Sequence, residues 1–297
     1  MKKRKWMMFY LILVILFMVS TIVYMLQLSP NDTTLSAQNK TDVTTQSNTS
    51  LQEDIMDQIY NYLTQAQIDT SALAISIYDF ETQTTYEHNS DINFISASLY
   101  KVPLAMLFYD FIEEGSMKIS DTLPYCSSCY EEGGPIGYTY KIGDRITLEE
   151  LLYDVIVYSD NTAGHILFEY LGGWDQFRSL MQKYSDIVLD EDALLYNMFT
   201  SSYANDVLCY VYQHEDTYTS LIEHMKLVYP NDYLNASTTT SIAQKYGSYE
   251  TAENSMGIIY DTHPYAITIM TNLGSDGIQV IGDINGIVYA LFHPNGS

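Results

Sequence analysis

The chain has 297 residues, enough for one large domain or two small ones, and at 47% hydrophobic it can bury a core. Its formal charge is −24, and because four of its thirteen basic residues are Lys2, Lys3, Arg4 and Lys5, everything after them carries about −28. A body this acidic repels nucleic acid, and that class of function is set aside.

Residues 1–5 form a basic tail, and Trp6 to Leu26 then run without a charged residue. That length spans a bilayer as a helix and exceeds the usual apolar core of a signal peptide. No Ala-x-Ala type cleavage site closes the stretch, which ends Tyr24-Met-Leu-Gln-Leu28. The expectation is an uncleaved signal anchor over 6–26 that keeps the tail cytoplasmic and sends the rest outside. Residues 27–50, rich in Asn, Asp, Thr, Ser and Gln, read as a flexible stalk. It holds three Asn-x-Ser/Thr sequences, at Asn31, Asn39 and Asn48.

Folded sequence begins near Leu51, where Leu51, Ile55, Ile59 and Leu63 mark one helix face. Residues 72–79 read as a strand, with a turn at Glu81–Gln83 and a partner strand to about His88. The stretch Ser96-Ala-Ser-Leu-Tyr-Lys-Val-Pro103 then opens an apolar, helix-compatible run that stops at Gly115. Within it, Ser98-x-x-Lys101 puts a hydroxyl and an amine one helical turn apart. A serine is a weak nucleophile that needs a base, and a desolvated lysine can serve. First-turn N–H groups lack intrahelical partners and can face an oxyanion.

Cys126 and Cys129 sit in a Tyr/Gly-rich loop, for which a structural or adventitious disulfide is the first expectation and free thiols the second. Thr147-Leu-Glu-Glu150 is a capping box ahead of a helix. Further helices are expected at about 162–170, closed by Gly172-Gly173, and at 175–184 and 203–213. Runs at 241–247, 256–260 and 265–270 read as antiparallel strands, and 277–292 as a last helix.

Two more clusters carry chemistry. Tyr158-Ser159-Asp160-Asn161 lies between two helices, where Ser159 can relay a proton and the Asn161 amide can meet a substrate amide. Lys245-Tyr246-Gly247, followed by Ser248, lies on a strand; a cation there can hold a carboxylate, and the glycine admits close approach. S-x-x-K, S-D-N and K-[T/S]-G in this order resemble class A β-lactamases and penicillin-binding proteins. The gaps, 60 residues from Lys101 to Asn161 and 84 from Asn161 to Lys245, are also of that family's order.

The resemblance covers residues 51–297. It implies an α+β, β-lactamase/transpeptidase-like fold: an antiparallel sheet flanked by helices from about 51–93 and 236–297, with an all-helical subdomain from about 94–235. It implies Ser98 as the acylated nucleophile, Lys101 as base or relay, Ser159 as proton shuttle, and Asn161 and Lys245 as substrate contacts. The N–H groups of Ser98 and Ser248 would form the oxyanion hole. The partner would be a small β-lactam or a peptidoglycan peptide, and no metal or organic cofactor is required. Nothing in the sequence sets an oligomeric state.

Two departures stand out. Tyr246 replaces the small hydroxyl that helps bind the substrate carboxylate. Class A enzymes also carry a deacylating glutamate in an E-x-x-L-N loop, roughly thirty residues past S-D-N. Here the region reads Asp190-Glu-Asp-Ala-Leu-Leu-Tyr-Asn197. Glu191 has the spacing, but Leu195 stands where the asparagine should and Asn197 is two residues late. Three functions therefore compete: a β-lactam hydrolase, a peptidoglycan- or ester-directed hydrolase, and a sensor or binding domain that does not turn over. All six histidines lie outside the motifs, so a serine–histidine triad ranks last.

Overall fold

A computed structural model describes residues 55–294. The basic tail, the expected anchor at 6–26 and the stalk at 27–50 lie outside the described residues. Among the described residues no helix is long and apolar enough to cross a membrane.

The fold is α+β and β-lactamase/transpeptidase-like, built around a five-stranded antiparallel sheet. After helix α1 (55–65) come β1 (Leu73–Asp79) and β2 (Thr84–His88). Helices α2 (Lys101–Glu113), α3 (Leu148–Val157), α4 (Asn161–Tyr170), α5 (Trp174–Met181), α6 (Ser201–Gln213) and α7 (Glu215–Lys226) follow. The chain then returns to the sheet as β3 (Ile242–Tyr249), β4 (Ala252–Ile259) and β5 (Tyr265–Thr271), and ends in α8 (Asp276–Phe292). The strand order is β2-β1-β5-β4-β3, so the first and last thirds of the folded region build one sheet.

The period-two pattern splits the core between the two sheet faces. Leu73, Ile75 and Ile77 of β1, with Tyr265, Ile267 and Ile269 of β5, join Ile55, Ile59 and Leu63 of α1 and Ile281, Ile284 and Val288 of α8. Ala74, Met256, Ile258, Ala266 and Met270 join the larger cluster formed with the helical block. At its centre is α2, whose residues 101–109 are all buried. A helix apolar on every side belongs inside. Pro103 is tolerated because it falls in the first turn, where no N–H partner is lost.

The expected elements recur with small differences, and the block expected to be all-helical also holds two short antiparallel pairs, Phe94–Ile95 with Met198–Phe199 and Thr122–Pro124 with Arg145–Thr147. Thr147 caps α3 by accepting from Glu150 N–H, but the Glu150 carboxylate takes the Tyr140 hydroxyl instead of closing the box. Helix α7 was not expected: its first turn is polar, and the chain kinks at Tyr218 (φ −102°, ψ 16°) before Leu221, Ile222 and Met225 reach the core. Cys126 and Cys129 are disulfide-bonded, and Cys209 is a free thiol.

Candidate active site

Three parts of the fold bring the sequence motifs together. Ser98 lies in a short 3-10 turn, Ala97–Tyr100, that runs into α2 and places Lys101 at the start of that helix. Ser159 and Asn161 come from the α3–α4 junction, and Lys245 from β3, the strand at the sheet edge.

The junction is shaped by Asp160. It caps α4 by accepting from Ala163 N–H at 2.7 Å, and its other oxygen accepts from Ile136 N–H at 2.8 Å. The second bond draws the loop 131–136 onto the helix start, where Asn161 N–H donates to Gly133 O and the Thr162 hydroxyl donates to Glu131 O. Gly134 (φ +106°) must be glycine: a Cβ there would meet the Asp160 carboxylate at 2.2 Å. Ser159, at φ +54°, is held in the left-handed region just ahead of this clasp. A cap of this kind is worth about 1 kcal/mol.

Lys101 is fully buried, and its Nζ donates to Ser159 O at 2.6 Å and Asn161 Oδ1 at 2.6 Å, with Ser159 Oγ at 3.2 Å. Lys245, also fully buried, donates to the same Ser159 Oγ at 3.0 Å and to Tyr246 O at 2.7 Å. Burial pushes Lys101 down to about 7, against the opposing pull of Asp160 and Glu131. Lys245 is driven well below the ordinary lysine range by burial and then by the Lys101 charge. A neutral Lys101 has two N–H groups, which its two short bonds consume, and one lone pair. Ser159 can therefore accept from Lys245 and donate to Lys101, linking three groups in one proton path.

The Ser98 hydroxyl, one turn before Lys101, makes no hydrogen bond among the described residues. Its N–H lies in the first turn, without an intrahelical partner. Gly247 of β3 closes against that turn: a Cβ there would lie 2.5 Å from Ser96 O and 2.9 Å from Ser98 N. Only glycine lets the edge strand approach the nucleophile's backbone this closely. Tyr246 partly covers the group, its ring centroid 4.1 Å from Lys245 Nζ. Ser248, next along the strand, is exposed and donates to Glu253 Oε1.

Asn161 keeps both ends of its amide inside the protein, accepting from Lys101 and donating to Glu132 O at 2.7 Å. Glu191 is not brought to the group. It is exposed at the start of a five-residue helix, Glu191–Leu195, and lines a separate cavity of about 370 Å³ with Asp175, Arg178 and Gln182. Asn197 is the residue that reaches the nucleophile's turn: its Nδ2 donates to Ala97 O at 2.9 Å, and its Oδ1 and carbonyl accept from Ser96. The glutamate of E-x-x-L-N stands four residues before the asparagine. Counted from Asn197, that position is Ala193, which is buried. Sequence reasoning missed Ala193, the anchoring role of Asn197 and the bond from Ile136 N–H to Asp160; the run Gly133-Gly134-Pro135 was the one visible sign of the clasped loop.

A family profile described as "Beta-lactamase enzyme family" matches residues 54–292. A beta-lactamase of Rhodobacter capsulatus is 31% identical over 101 residues, 34% of this chain and 34% of that protein. Beta-lactamase ROB-1 of Haemophilus influenzae is 25% identical over 122 residues, 41% of this chain and 39% of its own length. The chain thus aligns with only a third to two-fifths of these relatives. Among solved structures, PBP-A superposes with a TM-score of 0.70 at 20% identity, covering 83% of this chain and 97% of that one. A mutant of PBP-A, solved as an acyl-enzyme complex with penicillin G, gives 0.69 at 20%, covering 83% and 97%. The extended-spectrum beta-lactamase TLA-3 gives 0.70 at 20%, covering 80% and 98%.

Proposed function

This chain belongs to the beta-lactamase enzyme family, and from that premise we propose that it is a serine acyl-transfer hydrolase, opening β-lactam rings through an acyl-enzyme on Ser98. The observation that carries the reading is the buried Lys101 amine, bonded to Ser159 and Asn161 and lying one turn from a serine hydroxyl that makes no hydrogen bond among the described residues. In the proposed reaction Ser98 Oγ attacks the lactam carbonyl and its proton passes to Lys101. As the C–N bond breaks, Ser159 gives its proton to the leaving nitrogen and is reprotonated by Lys101. The Ser98 N–H, with that of Ser248, would hold the oxyanion.

Release of the acyl group by water needs a second base. Ala193 occupies the position of the family's glutamate, and Glu191 is exposed in another cavity. This favours a chain that acylates and releases slowly, in the manner of a penicillin-binding, peptidoglycan-directed or ester-directed enzyme, over an efficient β-lactamase. The penicillin G acyl-enzyme solved for a PBP-A mutant fits the same reading. The uncharged run 6–26 behind Lys2, Lys3, Arg4 and Lys5 supports a single-pass anchor with the domain on the extracytoplasmic side. A fluorescent penicillin tests the nucleophile: the native chain should carry the label through denaturing electrophoresis, and Ser98→Ala should not. Equal labelling of the variant sinks the assignment.

A further inference from the structure

Lys245 and Tyr246 stand where a carboxylate-binding pair is expected, yet their contacts oppose that role. The Lys245 amine is fully buried, spends its bonds on Tyr246 O and Ser159 Oγ, and is roofed by the Tyr246 ring at 4.1 Å. Burial and the Lys101 charge hold it well below the ordinary lysine range. Lys101, the other cation the motifs bring here, is buried too.

Opposite Ser248, on the neighbouring strand β4, stands an acidic residue. Glu253 accepts from the Ser248 hydroxyl at 2.7 Å and from the Tyr233 hydroxyl at 2.8 Å. A substrate carboxylate at this end of the site would lose its hydration and gain no exposed cation, and both disfavour it.

What the edge strand offers instead is aromatic surface. Tyr246 stacks on Tyr233 at 5.2 Å and 28°, and meets Tyr229 edge-on at 4.7 Å and 60°. Tyr229 is 46% exposed, so the cluster opens to solvent. Its phenol and that of Tyr246 interact, and the Tyr246 phenol also approaches the Ser159 hydroxyl. One side of the cluster therefore touches the proton path, and the other faces solvent.

We propose that the site selects acyl donors that are uncharged next to the scissile bond and carry an aromatic or apolar group there, seated on Tyr229 and Tyr246, in place of the carboxylate that penicillins and peptide C-termini present. Such donors are esters and amides with an apolar flank. The proposal rests on Ser98 being the nucleophile, and the test separates the two.

The full chain would be mixed with penicillin G and, separately, with its methyl ester, and the rate of mass gain on Ser98 measured for each. The ester is expected to acylate at least as fast as the acid. In Tyr246→Thr, which uncovers Lys245, the ratio should move toward the acid by about tenfold, the worth of one charge-assisted hydrogen bond. An acid that reacts ten times faster than the ester in the native chain overturns the proposal while leaving Ser98 acylation intact. A folded Tyr246→Thr with an unchanged ratio overturns the role given to Tyr246. Mass gain from neither compound overturns both this proposal and the Ser98 reading.

Discussion

Lys101 has to be uncharged to take a proton, and burial sets its pKa at about 7. Below that pH the amine is protonated and cannot act; above it the amine can accept a proton. The acylation rate of Ser98 should therefore rise about tenfold per pH unit below 7 and level off above about 8. A flat profile from pH 5.5 to 8.5 would remove Lys101 from the role of base. Ala193→Glu tests the other half of the cycle. It places a carboxylate four residues before Asn197 and should shorten the acyl-enzyme lifetime about a hundredfold, the low end of the range for one general base. An unaltered lifetime in a folded variant would separate Ala193 from deacylation. The three motifs were legible because each is a short run whose chemistry depends on neighbours in the chain. The loop ahead of Asn197 was legible only in part. Glu191 fits the linear spacing, but the register is set in three dimensions by Asn197, at φ +52° against Ser96 and Ala97.

The α3–α4 junction concentrates negative charge at the element scale. Asp154, near the end of α3, is buried and driven up to about 7 by desolvation, then by Asp160 and Glu150. A folded-state pKa above the unfolded value means that the fold prefers the protonated form. That contribution is present below about pH 4 and lost as pH rises through 7. Asp154→Asn should therefore stabilise more at pH 8 than at pH 5, by about 1–3 kcal/mol at the higher pH, or a few degrees in Tm. An equal gain at both pH values would deny the titration. The sheet was legible as alternating apolar runs, and α1 and α8 by their spacing. Helix α7 was not, since Glu215, Asp216 and Thr217 open it and its apolar positions come only after the kink at Tyr218. The clasp of loop 131–136 on Asp160 joins residues 24 or more apart, a separation that no local pattern encodes.

Over the whole molecule, residues beyond the basic tail carry about −28. Such a body repels an anionic acyl donor until salt screens it. Acylation by penicillin G should speed up about two- to fivefold between 20 and 300 mM salt, while the neutral methyl ester should barely respond. The same slope for both would mean that the field at Ser98 is not that of the whole chain.

The most direct measurement is an intact-mass time course of the full chain with millimolar penicillin G, sampled from seconds to hours. A nucleophile at Ser98 without a deacylating base predicts one adduct, absent from Ser98→Ala, that approaches one per chain and persists after the free drug is removed. Drug consumed without an accumulating adduct would mean efficient turnover and contradict slow release. An adduct that also forms on Ser98→Ala would contradict the site itself.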